Sequence, residues 1–115
     1  MPAVKSQSLC TKLRKLDDAK LTLLVGSDAG APGHLHSRAT WQEIDFWVRQ
    51  CGMPALRAIQ AATHDAATAM GAGHESGTLA PGKIADVIAV RGDVLRNPAL
   101  LQSVDIVIRR GRRVR

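Results

Sequence analysis

Leu23-Leu24-Val25-Gly26-Ser27-Asp28-Ala29-Gly30 runs from a short apolar segment into a turn of small residues that presents one carboxylate, Asp28. The apolar run that begins at Leu23, within an expected strand Leu21–Val25, reads as a strand covered on both faces, as in the parallel sheets of α/β proteins. In such sheets functional groups sit beyond the carboxyl ends of the strands. Asp28 stands at that place. The same carboxylate could instead cap the next turn or helix, and this stretch alone does not separate the two readings.

Upstream, residues 5–20 carry Leu9, Leu13 and Leu16 at spacings of four and three among Lys and Arg, which predicts an amphipathic helix. Asp17-Asp18 and Lys20 make the connection to the strand. Helix, short loop and buried strand form one unit of an alternating α/β chain.

Downstream, Ala29–Arg38 is a loop with two Gly, one Pro and two His. Thr40-Trp41-Gln42-Glu43 has the form of a capping box, with Thr40 as N-cap. Trp41, Ile44, Trp47 and Val48 follow at helical spacing, and Gly52 is placed to end that helix. Pro54 opens the next one. Leu56, Ile59, Ala66 and Met70 mark its expected buried side, and Gly71 and Gly73 close it.

From Gly77 the period changes. Pro81-Gly82 fits the central positions of a type II turn. Ala85–Val90 and Val104–Ile108 read as short strands, with Gly92 and Asn97-Pro98 as turn signals between them, and Gly111 turns the chain toward Val114. The C-terminal third is therefore small strands and tight turns. No internal repeat or low-complexity segment occurs.

The composition bounds the function classes. The chain has 115 residues, enough for one domain or a piece of a larger one, and 45% hydrophobic residues argue against general disorder. Sixteen Lys+Arg against ten Asp+Glu give a net charge of +6, which permits attraction to polyanions without requiring it. Cys10 and Cys51 are too few for a disulfide framework or a Cys-rich metal site, and both read as small hydrophobes. No long apolar run or secretory h-region is present, so a cytoplasmic protein with no membrane span is expected.

Three segments in this order resemble the amidohydrolase superfamily: Gly26-Ser27-Asp28-Ala29-Gly30; Ala61-Ala62-Thr63 with Ala66-Ala67 and Gly71; and Gly77-Thr78-Leu79-Ala80-Pro81-Gly82-Lys83-Ile84-Ala85-Asp86. The match is nearest to imidazolonepropionase-like and prolidase-like metal-dependent hydrolases and covers roughly residues 9–115. The resemblance implies an α/β fold: the C-terminal part of a (β/α)₈ TIM barrel in residues 1–72, with its last strand and helices. Residues 73–115 would then supply strands of a small β-sandwich.

The same resemblance implies hydrolysis of a C–N bond in a small-molecule substrate by metal-activated water. The metal would be divalent, zinc being the expectation, with Asp28 as ligand and proton shuttle. Asp86 and the Pro81-Gly82 turn would be structural. A complete barrel takes about 250 residues. The family's H-x-H pair, bridging modified lysine and later histidine ligands lie on earlier strands. The chain therefore reads as a C-terminal portion, inactive alone, whose partner is the N-terminal barrel portion or a second copy. Uncovered barrel surface should make residues 1–115 by themselves prone to association.

Other motifs weigh less. His34-Leu35-His36 spells H-x-H, but in a Gly/Pro loop; rather than a ligand pair it reads as plain solvent-exposed loop, or as a loop at the site mouth with His36 as a substrate contact. His64 and His74 read as surface histidines. Arg91-Gly92-Asp93 reads as a turn between strands. Arg109, Arg110, Arg112, Arg113 and Arg115 leave open a non-catalytic binding module for anions or nucleic acid. No stacking aromatic accompanies them, and a charged hairpin edge is favoured.

Overall fold

A computed structural model describes residues 3–115, with side chains from residue 6 onward; Met1, Pro2 and the side chain of Lys5, where the first expected helix begins, lie outside it. The chain runs α1 (Ala3–Asp18), α2 (Ala39–Arg49), α3 (Ala55–Ala62), α4 (His64–Ala69), β1 (Val87–Val90), a 3₁₀ helix (Pro98–Gln102), β2 (Val104–Arg109) and β3 (Arg112–Arg113).

The leucine spacing of the first segment does form a helix, and Lys15 in its last turn suits the negative end of the helix dipole. Of its apolar stripe, Cys10 and Leu13 are buried, whereas Leu9 and Leu16 stay exposed. Lys20 takes a left-handed conformation, φ 60°. That reversal lets Leu21 N–H reach back to the Leu16 carbonyl at 3.1 Å, so one open carbonyl of the helix end is satisfied.

Leu21–Val25 forms no strand. A strand exists only through a hydrogen-bonded neighbour, and beyond the closure of Leu21 on α1 the described backbone offers this segment one long contact, Val25 N–H to Ala61 O at 3.4 Å. Leu23 is buried, but Leu21 and Leu24 are 52% and 42% exposed. The segment has the composition of a covered strand without the cover.

Helix α2 carries the core. Ile44 and Trp47 are buried with Cys51, Met53, Ala58, Ala61, Leu23, Leu13 and Cys10 in one cluster. The expected capping box does not form: α2 begins at Ala39 behind Arg38, with no side-chain cap. Glu43 instead accepts a hydrogen bond from Trp47 Nε1 at 2.7 Å, one helical turn on. Satisfying a largely buried indole N–H outweighs a cap that solvent can replace. At the other end Gly52 adopts φ 69°, and Gly52 and Met53 N–H groups bond to the Val48 and Trp47 carbonyls at 3.1 and 2.9 Å. The glycine ends the helix as its position predicts.

The single helix expected after Pro54 is two. Thr63, with φ −126° and ψ −87°, separates α3 from α4. Its hydroxyl donates to Ile59 O at 2.8 Å, capping the end of α3 from within. The buried face also differs from expectation: Ala58 and Ala61 have no exposure, while Leu56 is 56% and Met70 83% exposed. Small residues let α3 approach α2 closely, and that contact, not side-chain size, sets which face turns inward. Ile59 does pack against the core.

The C-terminal part follows its turn chemistry. Gly82 takes φ 86°, and Lys83 N–H bonds to Ala80 O at 3.2 Å, the closure a type II turn requires. Strands β1, β2 and β3 form one antiparallel sheet in that order, with an irregularity between Ala89 and Val90. Arg110 and Gly111, both at positive φ, join β2 to β3 as a two-residue hairpin. Pro98, fully buried, opens the 3₁₀ helix that packs against α2, and Leu101 reaches the core. A sandwich needs a second sheet; among the described residues only this one forms.

One pairing reverses the reading of the cysteines as independent small hydrophobes. Cys10 and Cys51 are bonded as a disulfide, with Cα atoms 4.8 Å apart at a sequence separation of 41. Packing of α1 across the end of α2 creates the proximity, and no local spacing encodes it.

Candidate functional site

The apolar segment ends at a tight loop built by successive backbone turns. Asp28 takes φ 50°, Gly30 φ 100° and Gly33 φ 83°. Ala31 N–H bonds to Asp28 O at 3.1 Å, His34 N–H to Ala31 O at 2.9 Å and Gly30 N–H to His34 O at 2.8 Å. The glycines are needed here because positive φ costs any residue with a Cβ. At Gly30 a Cβ would also sit 3.3 Å from His36 Nε2.

Asp28 accepts that conformational cost, and its carboxylate takes no hydrogen bond or ion pair among the described residues. It does not cap the following turn, whose contact is to the Asp28 carbonyl. The side chain is exposed at the end of the segment. Asp28 thus presents an exposed carboxylate that no described residue engages.

The two loop histidines part company. His34 Nδ1 lies 3.2 Å from Ser27 O, which orients the imidazole beside the Asp28 turn. Its ring, with Ser27, Gly33, Ala39, Gln42 and Glu43, lines a cleft of about 210 Å³. His36 lies against Gly30 and is exposed. Glu43 is the residue that spacing alone misassigned: it lines the cleft and holds Trp47. The i, i+4 relation of Glu43 and Trp47 was the available signal.

The other sequence motifs lie elsewhere. His64 Nδ1 contacts Asp65 Oδ1 at 2.8 Å on the surface. Arg57 bridges Asp17 and Asp65 at 3.1 and 2.8 Å, tying the end of α1 to α3 and α4. Asp86 Oδ1 accepts the Arg110 N–H at 2.8 Å, which supports the left-handed residue of the hairpin. In the Arg91-Gly92-Asp93 turn, Asp93 Oδ1 accepts the Leu95 N–H at 3.0 Å. The five C-terminal arginines are exposed on and after the hairpin.

No group of three or more His, Cys, Asp or Glu among the described residues could hold a metal ion. Asp28 offers one carboxylate, and a catalytic zinc site takes about three protein ligands. The described residues therefore do not constitute a metal site by themselves. Among them no helix is long and apolar enough to cross a membrane.

The sequence profile of the amidohydrolase family matches residues 4–114, and the chain belongs to that family. Among solved structures, an Xaa-Pro dipeptidase with methionine bound in its active site is similar at 34% identity and TM-score 0.81, over 90% of this chain and 25% of that one. A structure described as a prolidase from Bifidobacterium longum is similar at 31% identity and TM-score 0.75, over 88% of this chain and 25% of that one. Molinate hydrolase is similar at 27% identity and TM-score 0.59, over 76% of this chain and 20% of that one. The chain thus spans about a quarter of the first structures it matches. No curated protein gives a significant match.

Proposed function

We propose that these residues supply the closing strand, the Asp28 loop and the trailing sheet of a metal-dependent amidohydrolase that cleaves a C–N bond. The observation that carries the reading is the exposed, unpartnered Asp28 carboxylate at the end of an uncovered apolar segment, in a chain of this family. Relatives that include an Xaa-Pro dipeptidase favour an amide of a dipeptide-like substrate. The cover absent from Leu21 and Leu24 would be the preceding strands of a (β/α)₈ barrel. The sheet β1–β2–β3 would be part of a β-sandwich beside it.

In such a site a bound divalent metal, zinc by expectation, lowers the pKa of water toward ~7. This chain's share is proton handling. The Asp28 carboxylate accepts a proton from the attacking water and returns it to the nitrogen that leaves as the C–N bond breaks. His34 and Glu43 line the adjoining cleft, and the exposed His36, beside Gly30 in the same loop, would contact substrate. Among the described residues Asp28 would be the one ligand, with no group able to hold a metal alone, so activity would require the remaining ligands from preceding barrel elements or a second copy.

The test is a chimera in which this chain replaces the corresponding quarter of the Xaa-Pro dipeptidase, assayed for dipeptide hydrolysis. We expect an active chimera, with Asp28→Asn lowering kcat by about 100-fold or more. Full activity of the Asn variant would overturn the role of Asp28.

A further inference from the structure

We propose that the Cys10–Cys51 bond is a reversible redox staple that holds the Asp28 segment in place. This inference does not depend on the catalytic role of Asp28; it concerns the 115-residue chain in the state seen here, with Leu21 and Leu24 uncovered. The disulfide closes a covalent ring whose arc contains Asp28, His34, His36 and Glu43, the residues of the candidate site. It joins α1, which leads directly into the Asp28 segment, to the residues that end α2, which leads out of it.

The other bonds on that arm are few. Leu13 and Leu23 are buried in the shared core, and Asp17 meets Arg57 at 3.1 Å. The one backbone hydrogen bond from residues 22–28 to the helices is that of Val25 to Ala61 O at 3.4 Å. Leu9, Leu16, Leu21 and Leu24 on the same arm face solvent. A segment with so little buried apolar surface opens at low free-energy cost unless a covalent link restrains it.

The environment of the sulfurs lets the link break without loss of the core. Cys10 is 5% and Cys51 2% exposed. Reduced, both remain small apolar side chains that the same pocket accepts. The exchange is balanced by a small-molecule thiol such as glutathione. Two thiols of the reductant give two electrons and two protons to the Cys10–Cys51 bond, two protein thiols form, and the reductant leaves as its own disulfide. Burial means that attack waits on opening of α1, so reduction and loosening of the arm reinforce one another.

The experiment is amide hydrogen exchange of the 115-residue chain, oxidised with glutathione disulfide or reduced with glutathione, with Cys10→Ala/Cys51→Ala alongside. We expect amides of residues 22–28 to exchange about tenfold or more faster on reduction, with the β1–β2 amides unchanged. The double variant should match the reduced chain and ignore the reductant. Equal exchange of residues 22–28 in both redox states would overturn the proposal. So would equal acceleration in the β1–β2 amides, which would make the bond a global rather than a local restraint. Two titratable thiols persisting after treatment with glutathione disulfide would overturn it as well.

Discussion

At the residue scale, three side chains make testable demands. Arg57 is less than a quarter exposed and serves two carboxylates at once. Its planar fork can bond Asp17 and Asp65 together, which a lysine ammonium cannot do in the same geometry. Arg57→Ala should cost about 1–2 kcal/mol, between the values for exposed and buried pairs. Arg57→Lys should recover little of it, as read by denaturant unfolding. Gly77 and Gly82 both take positive φ, 91° and 86°. A Cβ at Gly77 would meet Ala67 Cβ at 2.6 Å and Thr63 O at 3.0 Å, whereas at Gly82 it meets open space. Gly82→Ala should therefore cost about 1–2 kcal/mol of backbone strain. Gly77→Ala should cost that plus a steric penalty of about 1–3 kcal/mol. Equal effects at the two glycines would show that the Gly77 contact is readily relieved.

At the element scale, α2 is the support of the candidate site. It lines the cleft with Gln42 and Glu43 and buries Ile44 and Trp47 in the core. Trp47→Ala should destabilise the chain by about 3–5 kcal/mol. Trp47→Phe keeps much of the volume but abandons Glu43, and should cost less; thermal unfolding of the two variants orders them. Helix pattern, helix-ending Gly52, the type II turn and the terminal hairpin are all legible from local residue types. The break at Thr63 and the inward turn of Ala58 and Ala61 are not. They follow from the approach of α3 to α2 and from Gly77 packed against the break, both contacts between residues distant in sequence.

At the scale of the molecule, the apolar arm is the dominant feature. Leu9, Leu16, Leu21 and Leu24 are exposed on α1 and the segment after it, a surface larger proteins of this family would be expected to cover. In isolation the chain should therefore self-associate through that surface. Sedimentation velocity should show an average mass that rises with concentration above the 12.3 kDa of one chain. Leu21→Lys/Leu24→Lys should hold it near that value. A wild-type chain that stays monomeric across the same range would show the arm to be adequately shielded as it stands.

The order helix, apolar run, loop, helices and small strands was determined by residues acting over a turn or two: leucine spacing, glycines at positive φ, and Pro-Gly and Arg-Gly turns. The exposed loop position of Asp28 was also legible, because an apolar run ending in small residues marks a turn that presents its side chain. Tertiary structure alone decided three things. It left Leu21–Val25 without a ladder, since pairing belongs to neighbours and not to the strand itself. It turned Glu43 from helix capping to Trp47, since a largely buried N–H needs a partner more than a helix end does. It joined Cys10 to Cys51, since 41 residues of separation carry no local signal and only packing of α1 on the end of α2 brings the sulfurs together.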